Sequence, residues 1–133
     1  MLKDRVSRIT TLGVLAAVSV FAHHSFSAEF DDKKPVTLKG SVTKVEWTNP
    51  HAWVYIDVKD EKGGVEHWQC ESGPPNMLVR SGWRKDSLKP GDAVTINGFR
   101  AKDGTNTMSA HDIILPDGKK VFSGSAEDVG SRK

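Results

Sequence analysis

Two runs of alternating residues joined by a short polar connection constrain this fold more than any other feature of the chain. From Ala52 to Lys59, Val54, Ile56 and Val58 share one parity, while Trp53, Tyr55 and Asp57 share the other. From Val65 to Glu71 the alternation resumes, with Trp68 and Cys70 on the apolar parity and His67, Gln69 and Glu71 on the polar one. A period of two is the signature of a strand, because successive side chains leave opposite faces of the backbone. The connection, Asp60-Glu61-Lys62-Gly63-Gly64, holds the glycines that a hairpin loop needs. The two runs therefore predict an antiparallel hairpin with one face toward a core and the other toward solvent.

The flanking segments extend the same pattern. Val36 to Trp47 predicts a long first strand on which Val36, Leu38 and Val42 share a parity. Gly40 lies among them and predicts a bulge or a sharp coil. Asp31 to Lys34, ahead of that strand, predicts a charged turn. Between the first and second strands, Asn49-Pro50 predicts a corner, since Asn before Pro is pushed out of the helical region and Pro supplies no donor. The corner, Glu46-Trp47-Thr48-Asn49-Pro50-His51-Ala52-Trp53, holds one imidazole between two indoles. Ser72-Gly73-Pro74-Pro75 breaks the sheet, and Asn76 to Ser81 predicts a short helix with Met77 and Leu78 on its apolar side and Gly82 as its stop. Lys89-Pro90-Gly91-Asp92 turns the chain into a fourth strand, Ala93 to Ala101, with Val94 and Ile96 inward. Asp103-Gly104 marks a hairpin, Thr107 to Leu115 a fifth strand, Pro116-Asp117-Gly118 a turn, and Lys120 to Phe122 a short last strand.

Three strands, a short helix and two further strands predict an all-β fold: a small five-stranded Greek-key barrel of the oligonucleotide/oligosaccharide-binding (OB-like) type, with one short helix between strands 3 and 4. Val54, Ile56, Val58, Trp68, Val94 and Ile96 are its expected core. A small open β-sandwich is the competing architecture.

The N-terminus reads as an export signal. Lys3, Arg5 and Arg8 form a basic start, residues 9–22 are uncharged and mostly apolar, and Val20-Phe21-Ala22 has the small or β-branched residues that signal peptidase takes. The run is shorter than the ~20 residues of a membrane-spanning helix. The expected division is a signal peptide over 1–22, one domain with an N-terminal arm over 23–122, and a disordered tail over 123–133, where Ser, Gly and charge dominate. Cleavage lowers the basic residues from 19 to 16 and the acidic ones from 17 to 16, which leaves a near-neutral domain. Such a domain lacks the charge footprint of a nucleic-acid binder, so no nucleic-acid partner and no stable membrane span are expected. The single cysteine, Cys70, has no internal disulfide partner and reads as a packed thiol.

Several pieces of the chain, taken together, resemble a family of small exported bacterial proteins built on a domain of unknown function. They are Ala22-His23-His24-Ser25-Phe26, Ala28-Glu29-Phe30-Asp31, Glu46-Trp47-Thr48-Asn49-Pro50-His51, Glu71 followed by Pro75-Asn76 and Gly82-Trp83, Pro90-Gly91-Asp92, and Ala101-Lys102-Asp103-Gly104. The resemblance covers nearly the whole mature chain. It implies an exported single-domain β-barrel and no particular activity. It also places His23, His24, His51 and Glu71 in the shared pattern, with His67 and His111 as features of this chain.

The chemistry expected of these residues is binding; neither a nucleophile nor an acid–base pair stands out, so no catalytic residue is expected. Cleavage after Ala22 gives His23 a free α-amine beside its imidazole, a chelating pair. A second imidazole, from His51 or His24, completes a nitrogen-rich set of the kind called a histidine brace, which favours Cu(II). Glu71 is a further candidate, either as an oxygen ligand or as a carboxylate that orients an imidazole. Copper, held by His23, His51, His24 and Glu71 in a periplasmic or secreted protein, is the first expectation. The second is a binding module without metal, in which Trp53, Tyr55, His67 and Gln69 form an aromatic strand face for a sugar, a peptide or a small aromatic ligand.

Overall fold

The computed structural model of the protein describes residues 26–124. The expected signal peptide, and with it His23 and His24, lies outside the described residues, as do residues 125–133 of the expected tail. The described chain begins with one helical turn, α1 (Phe26–Glu29), and runs directly into β1 (Phe30–Glu46). β2 (Trp53–Lys59) and β3 (Val65–Glu71) follow, then α2 (Pro75–Arg80), β4 (Ala93–Ala101), β5 (Thr107–Ile114) and β6 (Lys120–Phe122).

The strands form one sheet in the order β3-β2-β1-β4-β5-β6. Neighbours in that order are antiparallel. β3 also pairs with β5 in parallel, Gln69 to Glu71 lying beside Thr107 to Ser109. β1 can serve two neighbours because it is long: Pro35 to Ser41 pair with β4, and Ser41 to Glu46 pair with β2. Glycine permits the close approach where these pairings meet. A Cβ on Gly40 would stand 2.3 Å from the carbonyl oxygen of Asp57, so any side chain there would collide with the β2 backbone. The irregularity expected at Gly40 falls slightly later. Val42 pairs with Ile56 and Lys44 with Tyr55, which leaves Thr43 as the extra residue. Val42 is held on its other side by the 89–92 turn, donating to Asp92 O at 2.8 Å and accepting from Gly91 N at 2.7 Å.

The inward parity of each strand meets in one core. Leu38, Val42, Val54, Ile56, Trp68, Cys70, Val94 and Ile96 are buried there with Met108, Ile113 and Val121. Val58, expected within this core, is only half-buried and packs against it, because it sits near the loop end of the β2–β3 hairpin opposite Glu66. Packed into the core through Leu78, α2 starts on Pro75, whose missing donor costs nothing in the first turn, and ends before Gly82 at φ +97°. Trp83 then folds back, its backbone N donating to Leu78 O at 2.9 Å and its Nε1 to Phe122 O at 3.1 Å.

Two boundaries differ from the sequence reading by more than one residue. Asp31 to Lys34 belong to β1 rather than to a free charged turn. Their turn-like chemistry is still visible: Lys33 N donates to Asp31 Oδ1 at 3.0 Å, and the β1–β4 register slips between Phe30 and Pro35. At the other end, Ser123, expected in the disordered tail, is buried. It exchanges backbone bonds with Gly73 and His111 and donates its hydroxyl to Ser72 Oγ at 2.9 Å.

Candidate functional site

The outward parity of β2 and β3 carries the candidate residues. Register pairs Trp53 with Glu71, Tyr55 with Gln69 and Asp57 with His67, so these six side chains stand in two facing columns. The ladder continues past the start of β2: Ser72 N donates to Ala52 O at 2.8 Å, and Ala52 N to Gly73 O at 3.1 Å. That extension brings His51, two residues before Trp53, into the outward column above Glu71. The corner feeding it contains a cis Asn49–Pro50 bond, and Thr48 Oγ1 donates to His51 O at 3.1 Å.

His51 Nδ1 lies 2.6 Å from Glu71 Oε1. Pairing at Nδ1 fixes the tautomer and the ring plane, and it makes Nε2 the atom able to bind a metal. Glu71 thus acts as a carboxylate behind the imidazole. At the far end of the same columns, His67 Nδ1 lies 2.5 Å from Asp57 Oδ1. Between them, the Tyr55 hydroxyl donates to Glu46 Oε2 at 3.0 Å, and Lys44 bonds the other oxygen of that carboxylate while standing 5.3 Å from the Tyr55 ring centre. The Lys44 hydrogen bond, followed by that of Tyr55, holds the Glu46 carboxyl below its ordinary range. Burial first, and the bond to Glu46 second, push the Tyr55 phenol up.

Two cavities open on this face. One, of about 330 Å³, is lined by Tyr55, Asp57, His67, Gln69 and the Thr105–Thr107 segment. The other, of about 490 Å³, is lined by Trp53, Gln69 and Glu71, by Lys102 and Asp103, and by Ala28, Glu29 and Phe30 of the N-terminal arm. Gln69, Thr105 and Thr107 border both, so the cavities form one trough with a shared ridge. The β4–β5 turn makes one wall. Arg100 stiffens it, donating to Gly104 O at 2.9 Å, Thr105 O at 3.3 Å and Asn106 Oδ1 at 3.2 Å, with its guanidinium 5.1 Å from the Trp68 ring centre. The arm makes the opposite end. Phe26 lies 5.7 Å from both the Phe30 and Phe99 rings, Lys102 N donates to Glu29 O at 2.9 Å, and Lys102 Nζ bonds Ser27 O.

Of the expected metal ligands, the structure therefore brings His51 and Glu71 together, while His23 and His24 lie outside the described residues. Among the described residues no three His, Cys, Asp or Glu side chains are grouped to hold a metal ion. Cys70 faces the core, and burial pushes its thiol up to about 12. Of the expected ligand face, Trp53 and Gln69 border the larger cavity, and Tyr55, His67 and Gln69 the smaller. Sequence reasoning passed over Asp57, although its parity with Trp53 and Tyr55 placed it on this face. It also passed over Thr105, Asn106 and Thr107, which reach the face only through the parallel β3–β5 pairing. No helix among the described residues is long and apolar enough to cross a membrane.

No curated protein matches the chain. Residues 12–110 match a family described as "Family of unknown function (DUF6152)". The matched span takes in α1 to β4, both columns of the trough, the whole β4–β5 turn and the first half of β5. With well over half of its 133 residues covered, the chain belongs to the DUF6152 family.

Proposed function

We propose that the mature protein is an exported Cu(II)-binding protein whose site joins the α-amine and imidazole of His23 to Nε2 of His51, with His24 as the alternative second imidazole. The observation that carries this reading is the 2.6 Å pair between His51 Nδ1 and Glu71 Oε1, which sits beside a cavity that the N-terminal arm also lines. A carboxylate on the non-ligating nitrogen is how ligand imidazoles are oriented and made more basic. The anchored arm limits the entropy lost on closure. Phe26 and Glu29 are fixed on Phe99 and Lys102, and three residues from Phe26 to His23 reach no farther than about 10 Å.

The strand ladder supports a finer view of the fold as well. Pairing runs from β1 to β2, β3, β5 and β4 and returns to β1, the connectivity expected of a closed OB-like Greek-key barrel. Such closure would place the β2–β3 face and the β4–β5 turn together as the ligand-bearing surface.

Cu(II) titration into three proteins tests the site: the chain beginning at His23, the same chain with one added N-terminal residue, and His51→Ala. The brace requires each variant to lose about 100-fold or more in affinity, roughly 2.8 kcal/mol. Equal binding by all three refutes it. Intact-mass measurement of the exported protein checks cleavage between Ala22 and His23, and a start at any other residue removes the amine ligand.

A further inference from the structure

The end of the trough away from His51 has the makings of a second, metal-independent site. Its smaller cavity, about 330 Å³, falls at the lower end of the size range of small-molecule sites. Its lining is rich in neutral hydrogen-bonding groups: the amides of Gln69 and Asn106 and the hydroxyls of Thr43, Thr105 and Thr107. At this end His67 Nδ1 lies 2.5 Å from Asp57 Oδ1, and Lys44 pairs with Glu46. The site therefore presents many donors and acceptors to a neutral polar ligand, while the Asp57 carboxylate, with no Lys or Arg in the lining, disfavours an anionic one. The half-buried Tyr55 ring supplies an apolar surface between them.

The wall is pre-organised. Besides the three bonds from Arg100, Asp103 Oδ1 accepts from Thr105 N at 3.0 Å and from Thr105 Oγ1 at 2.7 Å, and Gln69 Nε2 donates to Thr107 Oγ1 at 2.8 Å. A turn already ordered loses little further entropy when a ligand docks on it. The ridge at Gln69 opens into the larger cavity, where Trp53 offers a second aromatic surface two residues along the same strand face. Alternating aromatic surfaces and neutral polar groups along a trough suit a chain of rings that carry C–H faces and hydroxyl rims.

We propose that this trough binds a neutral oligosaccharide, with Tyr55 and Trp53 against successive ring faces and with Asp57, His67, Gln69 and Asn106 addressing hydroxyl or acetamido groups. The proposal does not rest on copper, because its polar contacts, Asp57, His67, Gln69 and Asn106, are not among the metal candidates.

Calorimetric titration of the mature protein with maltotetraose, cellotetraose and chitotetraose, and with tetragalacturonate as an acidic control, tests it. At least one neutral sugar is expected to bind with Kd below about 1 mM and the acidic one about tenfold more weakly or not at all. Tyr55→Ala and His67→Ala are each expected to weaken binding about tenfold, with Tyr55→Phe close to the parent. The exposed position of His67 keeps that variant folded even where Tyr55→Ala is destabilised. No binding by any neutral sugar, affinity unaffected by His67→Ala and Tyr55→Ala, or preference for the acidic sugar would each overturn the proposal.

Discussion

The two ends of the β2–β3 face carry the same chemical pair in different surroundings. His51–Glu71 and His67–Asp57 are both imidazole–carboxylate contacts between the two outward columns, at 2.6 Å and 2.5 Å. The side chains of the first are 34% and 16% exposed, and those of the second 81% and 36%. Distance alone would rank them equal. Shelter separates them, because an exposed ion pair is screened and loses side-chain entropy, so it contributes ~0–1 kcal/mol. The first pair has the corner behind it and the arm-lined cavity beside it, and can hold an imidazole in one orientation. The second is an exposed polar pair at the mouth of a groove. One motif thus gives a sheltered, oriented imidazole at one end and an exposed one at the other.

The largest test of this contrast comes from below the exposed end. Gly40→Ala would drive a methyl into the Asp57 carbonyl and is expected to destabilise the fold by about 3 kcal/mol, read by urea denaturation. A cost below ~1 kcal/mol would show that β1 and β2 can separate there without loss. The next effect belongs to the sheltered end. Glu71→Ala is expected to weaken Cu(II) binding roughly 10–100-fold, whereas Asp57→Ala leaves it unchanged. Equal effects would erase the distinction between the two pairs.

A third imidazole–carboxylate contact, on the outward parity of β4 and β5, gives a control with a different outcome. Burial raises the Asp112 carboxyl, but hydrogen bonds from Asn97 and His111 and the Lys120 charge outweigh it and hold the pKa below its ordinary value. Asn97 Nδ2 donates to Asp112 Oδ1 at 2.7 Å, with His111 and Lys120 on Oδ2 at 3.2 Å and 3.5 Å. A depressed carboxyl stabilises the fold above its unfolded pKa, and that contribution is lost as pH falls through the folded value. Asp112→Asn is therefore expected to flatten the fall of Tm below about pH 4 and to cost ~1 kcal/mol at neutral pH. An unchanged acid limb would remove Asp112 from the acid response. The smallest effect returns to the exposed pair: His67→Ala is expected to change stability by no more than about 0.5 kcal/mol in thermal unfolding. A larger loss would mean that the groove end is as structural as the corner.

Much of this was legible in the residue pattern. Alternation at Val54, Ile56, Trp68, Val94 and Ile96 assigned the core face, because a one-residue slip would turn every one of those side chains outward. The same parity put Trp53, Tyr55, His67 and Gln69 on one outward face, and the glycines at 63, 104 and 118 take the positive φ values that their turns require. Local chemistry suffices for such features, since each depends on neighbours within a few residues. Contacts between distant segments are different. The 2.6 Å approach of Glu71 to His51, the docking of Phe26 on Phe99, the parallel seating of Thr107 beside Gln69 and the burial of Ser123 against Ser72 join positions 20 to 73 residues apart. No periodicity encodes those meetings. They follow from the register of β1 against two neighbours at once, and that register was decided by packing the whole sheet around one core.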